Sequence, residues 1–297
     1  MHLSKFTAFV VALLVAFAAP SFGSAQTLVV GGKNFTEQFL IAEITSQLLQ
    51  ARGFAVTTRT GFSTSGIRRE QEAGLVDVYW EYSGTSLLTF NDVREPLGPE
   101  EAYDRVAELD AEKGLIWLSP SRVNNTYALA MRRAEAAAAG IDSISDLADR
   151  IRQGETFQFA CNTEFYMRPD GLLPLQRAYE FGFRPEDVVR METDAIYDFL
   201  RDGTSARVGL VFSTDGRVAA FDLLLLEDDR GFFPAYLLTP VVRKPVLDQH
   251  PDLAAHLNAL SAKLDNVTIA GLNAEIDLQK RPVEETAGAF LRSSGLL

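Results

Sequence analysis

The chain has 297 residues, 47% of them hydrophobic and 23% charged, with a formal net charge of −12, three histidines and a single cysteine. Such acidity works against a nucleic-acid partner; a lone cysteine closes no intramolecular disulfide, and no Cys/His cluster has metal-ligand spacing. A chain of this length can bury a sizeable core, which is expected to divide between two domains.

In chain order, residues 1–25 read as a signal peptide. Lys5 precedes the apolar run "FTAFVVALLVAFAA", and the small residues Gly23 and Ala25 set cleavage after Ala25. The run is shorter than the roughly 20 residues of a membrane span, so a soluble, exported, periplasmic protein is expected. Removal of the segment deletes one base and no acid and leaves the mature chain more acidic still.

The stretch "LVVGGKNFTEQFLIAEITSQLL" follows, a strand leading through a glycine turn into a helix. Backbone N–H groups and a helix N-terminus meet near Lys33, which suits an anion. The anion is not a nucleotide. A P-loop needs Gly five residues before Gly32 and Ser or Thr after the lysine, and the chain has Thr27 and Asn34 there. Asn34 with Glu37 resembles a capping box that starts the first helix. Strands are predicted at "TLVVG", "FAVTTRT", "VDVYW" and "GLIWL", with helices over 35–51, 64–73 and 99–113. This alternation predicts a mostly parallel sheet covered on both faces.

The pattern restarts with "TYALAMR", a helix over 144–152, "TFQFAC", a helix over 171–182, "DVVRM", a helix over 194–201 and "RVGLVF". After "LLLLEDDRGFFPAYLLTPVVRK" the chain is almost wholly helical. Crossings near 120–127 and 226–240 divide it into one lobe of residues 26–124 and 231–297 and a second of 125–230. Two α/β lobes joined by two crossovers place a ligand cleft between strand ends.

Aromatic residues recur at those ends: Tyr82, Tyr127, Tyr166, Phe212 and Tyr236. A single aromatic is more often core than ligand contact. Five at element boundaries opening on one cleft favour a cage, whose ring faces attract a cation that donates no hydrogen bonds. Lys33, Arg168 and the Thr85 hydroxyl stand alongside and suit a carboxylate, although lysines and arginines are usually solvated surface residues. Cys161 reads as a small buried hydrophobe.

The stretches "GGKNFTEQ", "WEYSGTSL", "NNTYALAM", "EFYMRPDG", "STDGR" and "LEDDRGFFPAY" together resemble the substrate-binding proteins of ABC importers for glycine betaine, choline and related osmoprotectants, over nearly the whole mature chain. The resemblance implies an α/β fold with the two lobes of a type II periplasmic binding protein. It implies an aromatic box of Tyr82, Tyr127, Phe212 and Tyr236, a carboxylate site of Lys33, Thr85 and Arg168, and a backbone carbonyl near Asn125 at the cationic end. Tyr166 flanks the box. Where relatives often carry tyrosine before "STDGR" this chain has Phe212.

The implied partners are a small quaternary amine and an ABC permease with its ATPase; the protein is expected to be a monomer without cofactor, metal or catalysis. Two other readings are an amino-acid-binding protein of the same fold and a secreted enzyme using Glu81 or Asp215 as general base. The first calls for a carboxylate facing an α-ammonium, and the second lacks a paired nucleophile.

Overall fold

The computed structural model describes residues 27–95, 97–203 and 207–297; the expected signal peptide lies outside the described residues. The chain begins with β1 (Leu28–Lys33), α1 (Thr36–Ala51), β2 (Val56–Phe62), α2 (Thr64–Glu72), β3 (Val78–Tyr82), α3 (Ser83–Phe90), α4 (Pro99–Ala111) and β4 (Leu115–Trp117). It crosses over and continues through β5 (Tyr127–Arg132), α5 (Arg133–Ala139), α6 (Ile144–Arg152), β6 (Gln158–Cys161), α7 (Thr163–Met167), α8 (Leu172–Ala178), β7 (Val188–Arg190), α9 (Thr193–Arg201), β8 (Arg207–Phe212), α10 (Arg217–Ala220) and β9 (Leu223–Leu225). The return brings β10 (Leu238–Arg243) and then α11 (Lys244–Gln249), α12 (Leu253–Ser261), α13 (Asn266–Asp277) and α14 (Val283–Ser293).

Two five-stranded sheets result, ordered β2-β1-β3-β10-β4 and β7-β6-β8-β5-β9. They are mixed rather than mostly parallel. β1 runs parallel to β2 and β3, and β6 to β7 and β8, but β10 and β5 run antiparallel to their neighbours. These two are the first strands after each crossing. A strand entered from the other lobe is not delivered by a βα return over its own sheet, so nothing obliges it to run parallel. The antiparallel registers matter for the site, because Tyr127 pairs with Phe212 and Tyr82 with Leu238, two residues from Tyr236.

The glycine turn expected before Lys33 is strand. Gly31 and Gly32 lie within β1, and the register with β2 slips between Gly31 and Lys33. Their role is close approach: a Cβ on Gly32 would stand 2.8 Å from the Gln38 carbonyl and 2.9 Å from Thr60 Cγ2. α1 can therefore lie on the sheet and bury Leu40, Ile41, Ile44, Leu48 and Leu49. The capping box is also absent. Phe35 is the N-cap without a side-chain cap bond, and Glu37 turns inward to donors that outcompete the reach back to the helix start. Residues 83–90, for which no element is predicted from the sequence, form α3 directly from the end of β3.

Candidate functional site

The β3 strand ends at Tyr82, β5 begins at Tyr127, and β8 ends at Phe212, so strand geometry alone delivers three rings to the space between the sheets. Lys33 ends β1, Thr85 lies in the first turn of α3, Asn125 is in the first crossover, Arg168 follows α7, and Tyr236 precedes β10. All eight line a single cavity of about 50 Å³. Seven of them are buried, and Phe212 is half-buried. Tyr166 is not in its wall; it is half-buried with the Arg190 guanidinium 5.2 Å over its ring.

A ninth residue completes the aromatic wall. Phe35 stacks on Tyr82 at 6.3 Å between centroids and on Phe212 at 5.3 Å, and Phe212 stacks in turn on Tyr127 at 5.3 Å. Tyr236 meets Tyr127 edge-on at 5.7 Å. Phe35 stands at an element boundary inside "GGKNFTEQ", the criterion that singled out the other rings, so the sequence held a signal for it. The Phe35–Phe212 stack joins the two lobes.

The two cations are already paired. Lys33 Nζ lies 2.5 Å from Glu81 Oε1, both side chains are buried, and the ammonium sits 4.9 Å over the Tyr82 ring. Arg168 grips Asp170 with Nε and one terminal nitrogen, each at 2.7 Å, reaches Glu164 at 3.2 Å and points toward Thr85 Oγ1 at 3.5 Å. Burial by itself would pull the Arg168 pKa down; the neighbouring Tyr127 and the Asp170 carboxylate more than offset it, and the guanidinium stays charged. The Tyr236 hydroxyl donates to Asp170, whose other partner is Arg168. Burial and then Asp170 hold the Tyr236 phenol well above its ordinary range, so it remains a donor. Asp170 and Glu81 were not foreseen as counter-ions; the sequence reading weighed Glu81 as a general base instead.

Asn125 donates its Nδ2 to Glu37 at 3.0 Å, and its Oδ1 is buried without a partner. Glu81 accepts from Lys33, from the Tyr79 hydroxyl at 3.0 Å and from the Tyr82 N–H at 2.7 Å. Asp215 is bound to Arg217 through both carboxylate oxygens. Neither acid considered as a general base has a carboxylate free of ion pairing. Cys161 is fully buried, and burial pushes its thiol up to about 12. A wider groove of about 680 Å³ lies beyond Tyr127, lined by the 225–235 loop and the residues around α4's start.

The family model for the substrate-binding domain of ABC-type glycine betaine transport systems matches residues 26–293. The chain belongs to this family. Among its relatives, the glycine-betaine-binding protein of Pseudomonas aeruginosa is 41% identical over 285 residues, covering 94% of this chain and 91% of that protein. The glycine betaine-binding protein YehZ of Escherichia coli is 31% identical, covering 99% of each. A solved glycine betaine/carnitine/choline ABC transporter structure superposes with a TM-score of 0.75 at 25% identity, over 91% of this chain and 99% of that one. The member of the glycine betaine transport family described here thus has the two-lobed α/β fold of its solved relatives. No helix among its described residues is long and apolar enough to cross a membrane.

Proposed function

We propose that this substrate-binding protein captures a quaternary amine of the glycine betaine and choline class in the cavity between its lobes and passes it, in the periplasm and chemically unchanged, to an ABC permease driven by its ATPase. The supporting observation is the wall itself. Five rings from both lobes surround one space, and the two cations beside it carry their own carboxylates. Ring faces supply negative potential to a cation that cannot donate hydrogen bonds. Thr85, Arg168 and Lys33 offer polar contacts to a carboxylate or hydroxyl at the other end of the ligand, while Glu81 and Asp170 keep the site from becoming a strong general anion trap.

Because Phe35 and Phe212 are in mutual contact, the methylated ammonium is admitted as the lobes part and is held when they close, the usual hinge motion of two domains around a ligand. An amino-acid α-ammonium would require acceptors aimed at the aromatic end, and there the acids are occupied. Calorimetric titration with glycine betaine, choline, carnitine and proline tests the reading. Binding of at least one trimethylammonium compound well above proline is expected; proline binding tightest would overturn it.

A further inference from the structure

Glu37 stands apart from the cavity yet is hydrogen-bonded to two residues of its wall, Tyr82 and Asn125. Its carboxylate is 2% exposed and meets four neutral donors and no cation. Oε1 accepts from the Tyr82 hydroxyl at 2.8 Å and Asn125 Nδ2 at 3.0 Å; Oε2 accepts from Thr214 Oγ1 at 2.6 Å and Asn273 Nδ2 at 3.3 Å. Tyr82 and Asn125 belong to the cavity wall, Asn273 to α13 of the first lobe, and Thr214 to the loop after β8 of the second lobe, two residues past Phe212.

A buried carboxylate without a cation is costly, and it persists only where surrounding donors fix it. Burial pushes its pKa up against the pull of those four hydrogen bonds. The arrangement also leaves Asn125 Oδ1 and Asn273 Oδ1 buried without donors. Rotating either amide to satisfy its oxygen would turn that oxygen against the carboxylate, so Glu37 sets both amides. It does not line the aromatic cavity; it borders a neighbouring pocket of about 10 Å³, scarcely room for one water.

We propose that Glu37 is a positioning residue that couples the aromatic cavity to lobe closure, its carboxylate fastening Thr214 of the second lobe to the first while holding Tyr82 and Asn125 in the cavity wall. The inference rests on the reading of that cavity as the ligand site. The contact is close elsewhere along the same seam: Asn273 also donates to the Thr214 carbonyl at 3.2 Å, and a Cβ on Gly216 would stand 2.4 Å from Ala274 Cβ. The lobes also meet through Arg168 with Thr85 and Tyr236 with Asp170. Opening the lobes removes Thr214 from Glu37 and takes a donor from a carboxylate that has no cation to replace it.

The test uses the mature chain carrying Thr214→Val, Glu37→Gln or both, with glycine betaine and choline as probes in stopped-flow. Thr214→Val is expected to raise the dissociation rate about tenfold, as loss of a hydrogen bond to a charged acceptor does, and by the same factor for both ligands. Association should change little. In the Glu37→Gln background, Thr214→Val should add less than about twofold, because the two residues act through one bond.

Unchanged dissociation with Thr214→Val, or additive effects in the double variant, overturns the proposal; a purely structural threonine would lower thermal stability without that coupling. Thr214→Val carries the test if Glu37→Gln does not fold. If the parent binds neither probe, the proposed ligand class fails, and closure is still read by pulsed EPR between labels at Glu112→Cys and Gln153→Cys, both exposed. Thr214→Val must then raise the wide-distance fraction, and an unchanged distribution rejects the latch.

Discussion

Arg168 and Asp170 form a buried pair, with side chains 5% and 3% exposed, beside a cavity read as a binding site for a zwitterion. Removing the arginine leaves Asp170 as an uncompensated buried charge, and breaking such a pair commonly costs about 3–5 kcal/mol. Arg168→Ala is therefore expected to lower thermal stability markedly. It should also weaken glycine betaine at least tenfold more than choline, since the freed carboxylate repels the ligand's own and still attracts an ammonium; equal losses in calorimetry would reject the carboxylate role.

The tyrosines separate in the same way. Tyr236 donates to Asp170, whereas Tyr127 presents its ring to Phe212 on one side and to the Arg168 guanidinium at 5.4 Å. Tyr236→Phe removes a donor from a charged acceptor and should weaken ligand binding by about 1–3 kcal/mol. Tyr127→Phe keeps the ring face and should cost much less, while Tyr127→Ala loses a desolvated cation–π contact worth about 2 kcal/mol. Titration of the three variants against one ligand checks the ranking.

Among the elements, the turn between α7 and α8 carries the most weight for the site, because it holds Arg168 and Asp170 within three residues of each other. Gly171 N-caps α8, and its φ is ordinary; the constraint is space. A Cβ there would stand 1.8 Å from the Phe165 carbonyl oxygen, a backbone atom that cannot rotate away. Gly171→Ala is expected to cost about 3 kcal/mol or more by overpacking and to displace the Arg168–Asp170 pair. Gly182, whose nearest neighbour to an added Cβ is 4.0 Å away, serves as the control, with Gly182→Ala within about 0.5 kcal/mol. Urea midpoints of the two variants decide it. Nothing in the spelling of "RPDG" showed that its glycine answers to the oxygen of Phe165.

For the whole molecule, the acid sensitivity of the first lobe follows from Asp110. It accepts from Arg68 at 2.8 and 2.7 Å, from Ser86 Oγ at 2.9 Å, Asn91 Nδ2 at 3.1 Å and Trp117 Nε1 at 2.9 Å, tying α2, α3, α4 and β4 together. Burial alone would raise its pKa; the Arg68 hydrogen bonds and charge bring it instead to about 2, below the ordinary 3.8. A depressed carboxylate stabilises the fold above its unfolded pKa, and that contribution, about 2 kcal/mol, is lost as pH falls through the folded value. Between pH 4 and 2 the thermal midpoint should drop steeply. Asp110→Asn should flatten this drop and lower stability at neutral pH by about 3–5 kcal/mol, because Arg68 loses its buried partner.

From the sequence alone came the two α/β units, the two crossings and seven of the residues that line one cavity, because hydrophobic period, strand-end position and short motifs are local properties; Asn125 came only with the family resemblance. Sheet direction, the pairing of Lys33 with Glu81 and of Arg168 with Asp170, the entry of Phe35 into the aromatic wall and the inward turn of Glu37 were decided by the tertiary structure. Each depends on which distant groups meet in a dry interior: a lysine written beside glycines gains a counter-ion 48 residues away, and an apparent capping glutamate finds Thr214, 177 residues on. Burial makes such partners obligatory, and only the folded chain selects them.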